Sequence, residues 1–124
     1  MQVRRMRIDR LPAPARLALL GSAAAVLLWL CLAPSRDLPR VNLWDKAEHA
    51  GAWAVLAGLG VALFPRRPGR IAGFALALGA AVEVLQGLLP FGRDADWRDL
   101  VGDAAGIAFA LLVAALARRA FARP

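Results

Sequence analysis

The sequence predicts an all-α fold, an integral membrane bundle of four transmembrane helices with both termini on the cytoplasmic side. Of the 124 residues, 60% are hydrophobic and the mean hydropathy is +0.54, too apolar for an ordinary soluble domain of this size. Four apolar stretches, Leu17 to Ala33, Ala50 to Phe64, Ile71 to Leu89 and Leu100 to Ala117, are set apart by charged or proline-rich breaks. The basic residues divide unevenly between alternate breaks, which sets the direction of insertion.

Each stretch approaches the roughly 20 residues that cross a hydrocarbon core about 30 Å thick. The first predicts a span over about 17–33. Its Arg-rich approach and Cys31-Leu32-Ala33 loosely resemble a signal peptide, but the run is long for the apolar part of one, and cleavage would leave three spans with unchanged orientation. The second stretch is short unless its helix starts near Asn42, which can cap, with Asp45 in a first turn that favours a carboxylate; the span is then about 46–64. The tight turn Phe64-Pro-Arg-Arg-Pro-Gly-Arg70 leads to a third span at 71–89, and the polar loop from Leu89 to Asp99 to a fourth at 100–117. There is no internal repeat, and no linker is long enough to divide the chain into separate domains, so residues 1–124 form one membrane domain.

Net charge is +7. With the N-terminus cytoplasmic, Arg4, Arg5, Arg7, Arg10, Arg16, Arg66, Arg67, Arg70, Arg118, Arg119 and Arg123 lie inside, leaving Arg36, Arg40, Lys46, Arg93 and Arg98 outside. Eleven against five is the positive-inside bias, so the basic balance reports topology and anionic headgroups; no nucleic-acid partner is expected. Trp29, Trp44 and Trp97 then fall near the outer boundary, with Trp53 somewhat deeper. Cys31, the only cysteine, excludes an intrachain disulfide and a multi-cysteine metal site, and reads as a small buried hydrophobe.

Two acids, Glu83 and Asp103, stand inside predicted spans. Glu83 lies seven residues before Pro90, which at about 1.5 Å per residue is roughly 10 Å below the outer helix end. Asp103 follows Asp99 by one turn. His49, the sole histidine, follows Asp45 by one turn and leads to Trp53 on the same face. Gly79, Glu83 and Gln86 share one side of the third helix; Asp103, Gly106 and Ala110 share one side of the fourth, where Gly102-x-x-x-Gly106 permits close packing. A carboxylate near mid-membrane costs several kcal/mol, about 2.5–3.5 on insertion scales, so these residues are expected to turn His49, Glu83, Gln86 and Asp103 into a common cavity open to the outside. There Glu83 could be protonated, bonded to Gln86, or paired with His49 or Arg93. The bland reading of the group is interhelical hydrogen bonding, and of Arg93, Asp94, Asp96, Arg98 and Asp99 a solvated loop, which fits Asp94 and Arg98 best.

Asp45-Lys46-x-x-His49, then Glu83-x-x-Gln86, Pro90, Arg93, Asp99 and Gly106 resemble the VanZ-like family of small bacterial membrane proteins, over residues 42 to 110 and in the same order and spacing. Asp103 stands where the family commonly has asparagine, and Trp53 where it often has another aromatic. The resemblance implies a location in the bacterial cytoplasmic membrane, multi-pass, and a role at its outer surface near cell-wall precursors or lipids; the family's namesake is associated with teicoplanin resistance. It also gives weight to Arg93 and Asp99, and the site expected is Asp45, Lys46, His49, Glu83, Gln86, Arg93, Asp99 and Asp103.

Three classes of function follow. The first is a non-enzymatic protein that binds membrane lipids or lipid-linked envelope precursors, with Arg93 and Lys46 reading phosphate. The second is a membrane enzyme in which Glu83 or His49 is the general acid or base on a lipid headgroup. Its attacking group would be water or a substrate hydroxyl, because the only serines are Ser22 and Ser35 and there is no threonine or tyrosine. The third is a small transporter; the small multidrug exporters it would resemble carry their acid in the first span, where this chain has none. One histidine with carboxylates could hold a divalent ion, but no spacing signature supports it, so neither a metal nor a cofactor is expected.

Overall fold

A computed structural model of the chain describes residues 7–33, 45–90 and 95–122, with Asp45 described in its backbone alone. Among these residues there is no strand. A single 3-10 turn, Ile8–Arg10, precedes α1 (Ala13–Leu32), α2 (Asp45–Leu63), α3 (Pro68–Leu88) and α4 (Trp97–Ala122).

Proline sets most of the boundaries. Pro14 lies in the first turn of α1 and Pro68 opens α3, positions where a missing N–H costs nothing. At the other ends Ala33 and Leu89 each precede a proline, and both are extended, with ψ of 147° and 138°, as the proline ring demands of its predecessor. The helix expected at 17–33 therefore starts one turn earlier, after Pro12. The helix expected at 100–117 runs from Trp97 to Ala122, because Arg118 and Arg119 are good helix formers that leave the hydrocarbon without ending the helix. Asn42, the expected cap of the second helix, lies outside the described residues.

Three helices, α1, α3 and α4, are long and apolar enough to cross a membrane. α2 is of similar length, 19 residues, but Asp45, Lys46, Glu48 and His49 crowd its first two turns. The exterior of the bundle is apolar, with Leu17, Val55, Val84, Leu88, Phe109 and Leu116 all more than half exposed. Such a surface suits lipid and would be a liability in water.

The helices run up, down, up, down. Arg16 of α1 donates to the Leu63 carbonyl at the end of α2 (3.1 Å), and Gln86 near the end of α3 donates to the Cys31 carbonyl at the end of α1 (2.9 Å). One end of the bundle is thus basic: Arg16, stacked on Phe64 at 4.8 Å, and Arg118, bonded to the Pro65 carbonyl, hold the α2–α3 turn and its Arg66 and Arg67. The opposite end gathers the acids.

α2 lies at the centre, with Trp53, Leu56, Ala57, Val61 and Leu63 buried. It packs chiefly on α4, and the two run parallel. Gly102 and Gly106 make that approach possible, as their spacing predicts. A Cβ on Gly102 would stand 3.1 Å from the Lys46 carbonyl oxygen, and one on Gly106 would fall on the carbonyl of Ala50. Across the α2–α3 hairpin Gly60 leaves room for a side chain, since a Cβ there would stand 2.6 Å from the Ile71 Cγ2.

Replacing Gly106 by alanine must separate two backbones, since a carbonyl cannot rotate away as a side chain can. Gly106→Ala is expected to cost about 1–3 kcal/mol or more in unfolding from mixed micelles followed by helical circular dichroism. Gly58→Ala, whose new methyl meets open space, should be neutral or stabilise by up to about 1 kcal/mol.

Candidate functional site

The start of α2, the end of α3 and the start of α4 meet at the acidic end. Asp96 caps α4: its Oδ1 accepts the Arg98 backbone N–H at 2.9 Å, an orphan donor of the first turn. Asp99 and Asp103 follow at three and seven residues, so α4 presents three carboxylates down one side, and that side faces α2.

Each carboxylate meets a partner from another helix. Lys46 Nζ bridges Asp99 Oδ1 (2.6 Å) and Asp96 Oδ2 (2.9 Å). One turn further along α2, His49 Nδ1 lies 2.8 Å from Asp103 Oδ1, and its Nε2 lies 3.6 Å from Asp99 Oδ2. The imidazole stacks on Trp53, with centroids 5.7 Å apart and planes 13° from parallel. Trp53 has no exposed surface and donates its indole N–H to the Ala75 carbonyl of α3 at 2.8 Å. Tryptophan therefore acts as the floor on which the histidine ring rests.

From α3, Glu83 Oε2 accepts the backbone N–H of Asp96 at 2.8 Å, tying the loop before α4 to the bundle. Glu83 thus bonds neither Gln86 nor a charged partner at this oxygen; Gln86 turns to α1 instead. Three oxygens remain buried without a hydrogen bond among the described residues: Glu83 Oε1, Gln86 Oε1 and Asp103 Oδ2. Gly79 leaves room for the last, since a Cβ there would stand 2.7 Å from it.

Burial is graded along this network. The Asp103 side chain has no exposed surface, Asp99 retains 8%, His49 11%, Lys46 20% and Asp96 37%. Solvent reaches the cluster from the side of Asp96 and Lys46, and the interior ends at Asp103. Donor atoms of His49, Glu83 and Asp99, one from each, all lie within 4.8 Å of one another.

Of the eight site residues expected, the structure brings Lys46, His49, Glu83, Asp99 and Asp103 into one network. Gln86 is buried on the same face of α3 as Glu83. Asp45 opens α2, and its side chain and the whole of Arg93 lie outside the described residues. Arg98 is exposed over the ring of Trp97, in keeping with a solvated position. Asp96, which the sequence alone groups with the solvated loop, belongs to the network through side chain and backbone alike. The recurrence Asp96, Asp99, Asp103 on one helical face is the signal that marks it. Compared with known proteins, the chain matches no family model, no curated protein and no solved structure.

Hydrogen bonding from Lys46, and next from the Arg98 N–H, holds the Asp96 carboxyl below the usual carboxylate range. Its folded pKa is below its unfolded one, so the stability it lends is full above the unfolded value of about 3.9 and is lost as pH falls through the depressed folded value. Acid titration of the melting temperature should show this loss below about pH 5 in the native chain. Asp96→Asn, which keeps a good helix cap, should flatten the acid limb of that profile.

Proposed function

We propose that this chain is a VanZ-like protein of the bacterial cytoplasmic membrane, with four spans and both termini inside, whose polar centre faces outward. It binds a membrane lipid or lipid-linked envelope component and contributes to envelope physiology or glycopeptide tolerance. The observation that carries this reading is the convergence of Lys46, His49, Glu83 and Asp99, which are four of the residues on which the VanZ-like resemblance rests, at one end of the bundle. Scattered polar residues used only for packing would have no reason to gather there, and intramembrane ionisable groups default to function.

The segregation of charge supports the orientation. Arg16, Arg66, Arg67, Arg70 and Arg118 mark the end opposite the acids, and positive residues favour the cytoplasmic side. Trp29 and Trp97, both more than half exposed, stand at the acidic end, as interfacial anchors of the outer leaflet would. α2 joins the three apolar helices as the fourth span, its charged first turns shielded by α4.

A phosphate headgroup reaches Lys46 by competing with Asp96, the most exposed carboxylate of the network. A second reading is favoured by one contact, the 2.8 Å bond between Asp103 and His49 Nδ1. That pairing orients an imidazole with Nε2 toward the solvent side, the arrangement of a general base acting on a headgroup through water.

Expression in a glycopeptide-sensitive bacterium should raise the teicoplanin concentration that stops growth, and Glu83→Gln or His49→Ala should abolish the rise at equal membrane abundance. Unchanged sensitivity would reject the tolerance role. Purified protein in nanodiscs, offered lipids with phosphate headgroups, separates the two readings: saturable binding without product supports the binder, and turnover lost in His49→Ala supports the enzyme.

A further inference from the structure

We infer that His49, Glu83 and Asp99 form a binding site for one divalent transition-metal ion, with Asp103 as the residue that positions the His49 ring. The sequence holds no spacing motif for such a site, because its three donors come from three helices and meet only in the folded bundle.

Four features point to an ion. One donor atom from each residue lies within 4.8 Å of the others. Ligands held about 2.0–2.2 Å from a common ion stand roughly 3–4 Å apart, so side-chain movements of about 1–2 Å close the set. His49 Nε2 and Asp99 Oδ2, at 3.6 Å, already have that separation, which is long for a hydrogen bond and ordinary for neighbouring ligands.

The carboxylates are each half committed. Asp99 gives Oδ1 to Lys46, and Glu83 gives Oε2 to the Asp96 N–H. Glu83 is more than nine-tenths buried, and its Oε1 has no hydrogen-bond partner among the described residues. A buried carboxylate oxygen left in that condition costs free energy that a coordinated cation removes.

The third feature is the support behind the histidine. Asp103 holds Nδ1 at 2.8 Å and fixes the ring on Trp53, so that Nε2, 3.6 Å from Asp99 Oδ2, is the nitrogen turned toward the other two donors. A carboxylate behind a ligating histidine is the usual outer-shell arrangement of protein metal sites. Charge is the fourth: among the described residues Lys46 pairs with Asp96 and Asp99 and His49 with Asp99 and Asp103, while no cationic side chain pairs with Glu83, so a divalent ion would meet a carboxylate that the bundle has not already matched. One imidazole and two carboxylates suit Zn²⁺, Mn²⁺ or Fe²⁺ over soft or all-oxygen-seeking ions, and three protein ligands leave a position for water or a headgroup oxygen.

The test uses the full chain in detergent micelles, stripped with a chelator and titrated with Zn²⁺ by calorimetry. Co²⁺, followed by its visible absorption bands, serves as a second probe. One ion per chain is expected, with a melting temperature raised by Zn²⁺. Glu83→Gln, which keeps an acceptor for the Asp96 N–H, should weaken Zn²⁺ at least tenfold. Asp103→Asn should weaken it about 10- to 100-fold and shift the Co²⁺ bands. Asp9→Asn, at the far end of the bundle, should change nothing. Wild-type protein of native helicity that binds neither ion stoichiometrically, or Glu83→Gln that binds Zn²⁺ as wild type does, overturns the site. Since metal alone is the probe, loss of the envelope role would leave this result standing, and the converse holds.

Discussion

A carboxylate inside a membrane bundle has to be answered from within the bundle, and Asp103 is the one on which this structure turns. It has no exposed surface, and its one hydrogen-bond partner among the described side chains is His49, on a helix two elements away in sequence. A 2.8 Å contact between side chains as short as these requires α2 and α4 to approach at backbone distance. Gly102 and Gly106 allow it, and Gly79 clears space for the second carboxylate oxygen. The three glycines, the histidine and the aspartate are therefore one structural unit: enlarging Gly102 or Gly106 pushes α2 from α4, and enlarging Gly79 crowds the carboxylate itself.

The rest of the polar end is arranged around that unit in order of depth. Asp99 is one turn nearer the surface and shares its two oxygens between Lys46 and the His49 side. Asp96 is nearer still, and divides its work between capping α4 and holding Lys46. Lys46 thus faces two carboxylates at once, a geometry that suits a compact ammonium with three donors better than a planar guanidinium. This gives a physical reason for a lone lysine in a chain that otherwise uses arginine throughout. It also changes what the centre attracts. A lysine already bridging two acids can take up an anion only by giving one of them up, and Asp96 is the more exposed of the two.

Much of this is legible before folding, for a definite reason. Helix positions follow from apolar length and proline, both local, and the faces that carry Glu83 with Gly79 and Asp103 with Gly106 follow from the helical repeat. Those residues are indeed buried together. What the sequence withholds is pairing. Whether Gln86 turns to Glu83 or to the end of α1 depends on where α1 ends, and the preference of Asp99 for Lys46 depends on the parallel register of α2 and α4. Asp96 is hidden for a similar reason: a polar residue in a polar loop looks solvated until a capped helix begins beside it. Helix ends depart from the apolar pattern where charged residues continue a helix beyond the hydrocarbon, as Arg118 and Arg119 do, because that pattern marks the membrane and not the hydrogen-bond ladder.

The same pairing bears on how the bundle assembles. α1, α3 and α4 have the length and apolarity to insert alone, whereas α2 carries Lys46, Glu48 and His49 within its first turns. Alone in lipid, those side chains would draw the start of α2 toward the headgroups. Beside α4, Lys46 meets Asp96 and Asp99, and His49 meets Asp103, so most of the polar cost of each helix is met by the other. Stable placement of α2 in a membrane would thus depend on α4, which follows it in the chain. The contact between α2 and α4 is also the contact that builds the polar centre, so a chain that has not closed the one against the other lacks that centre.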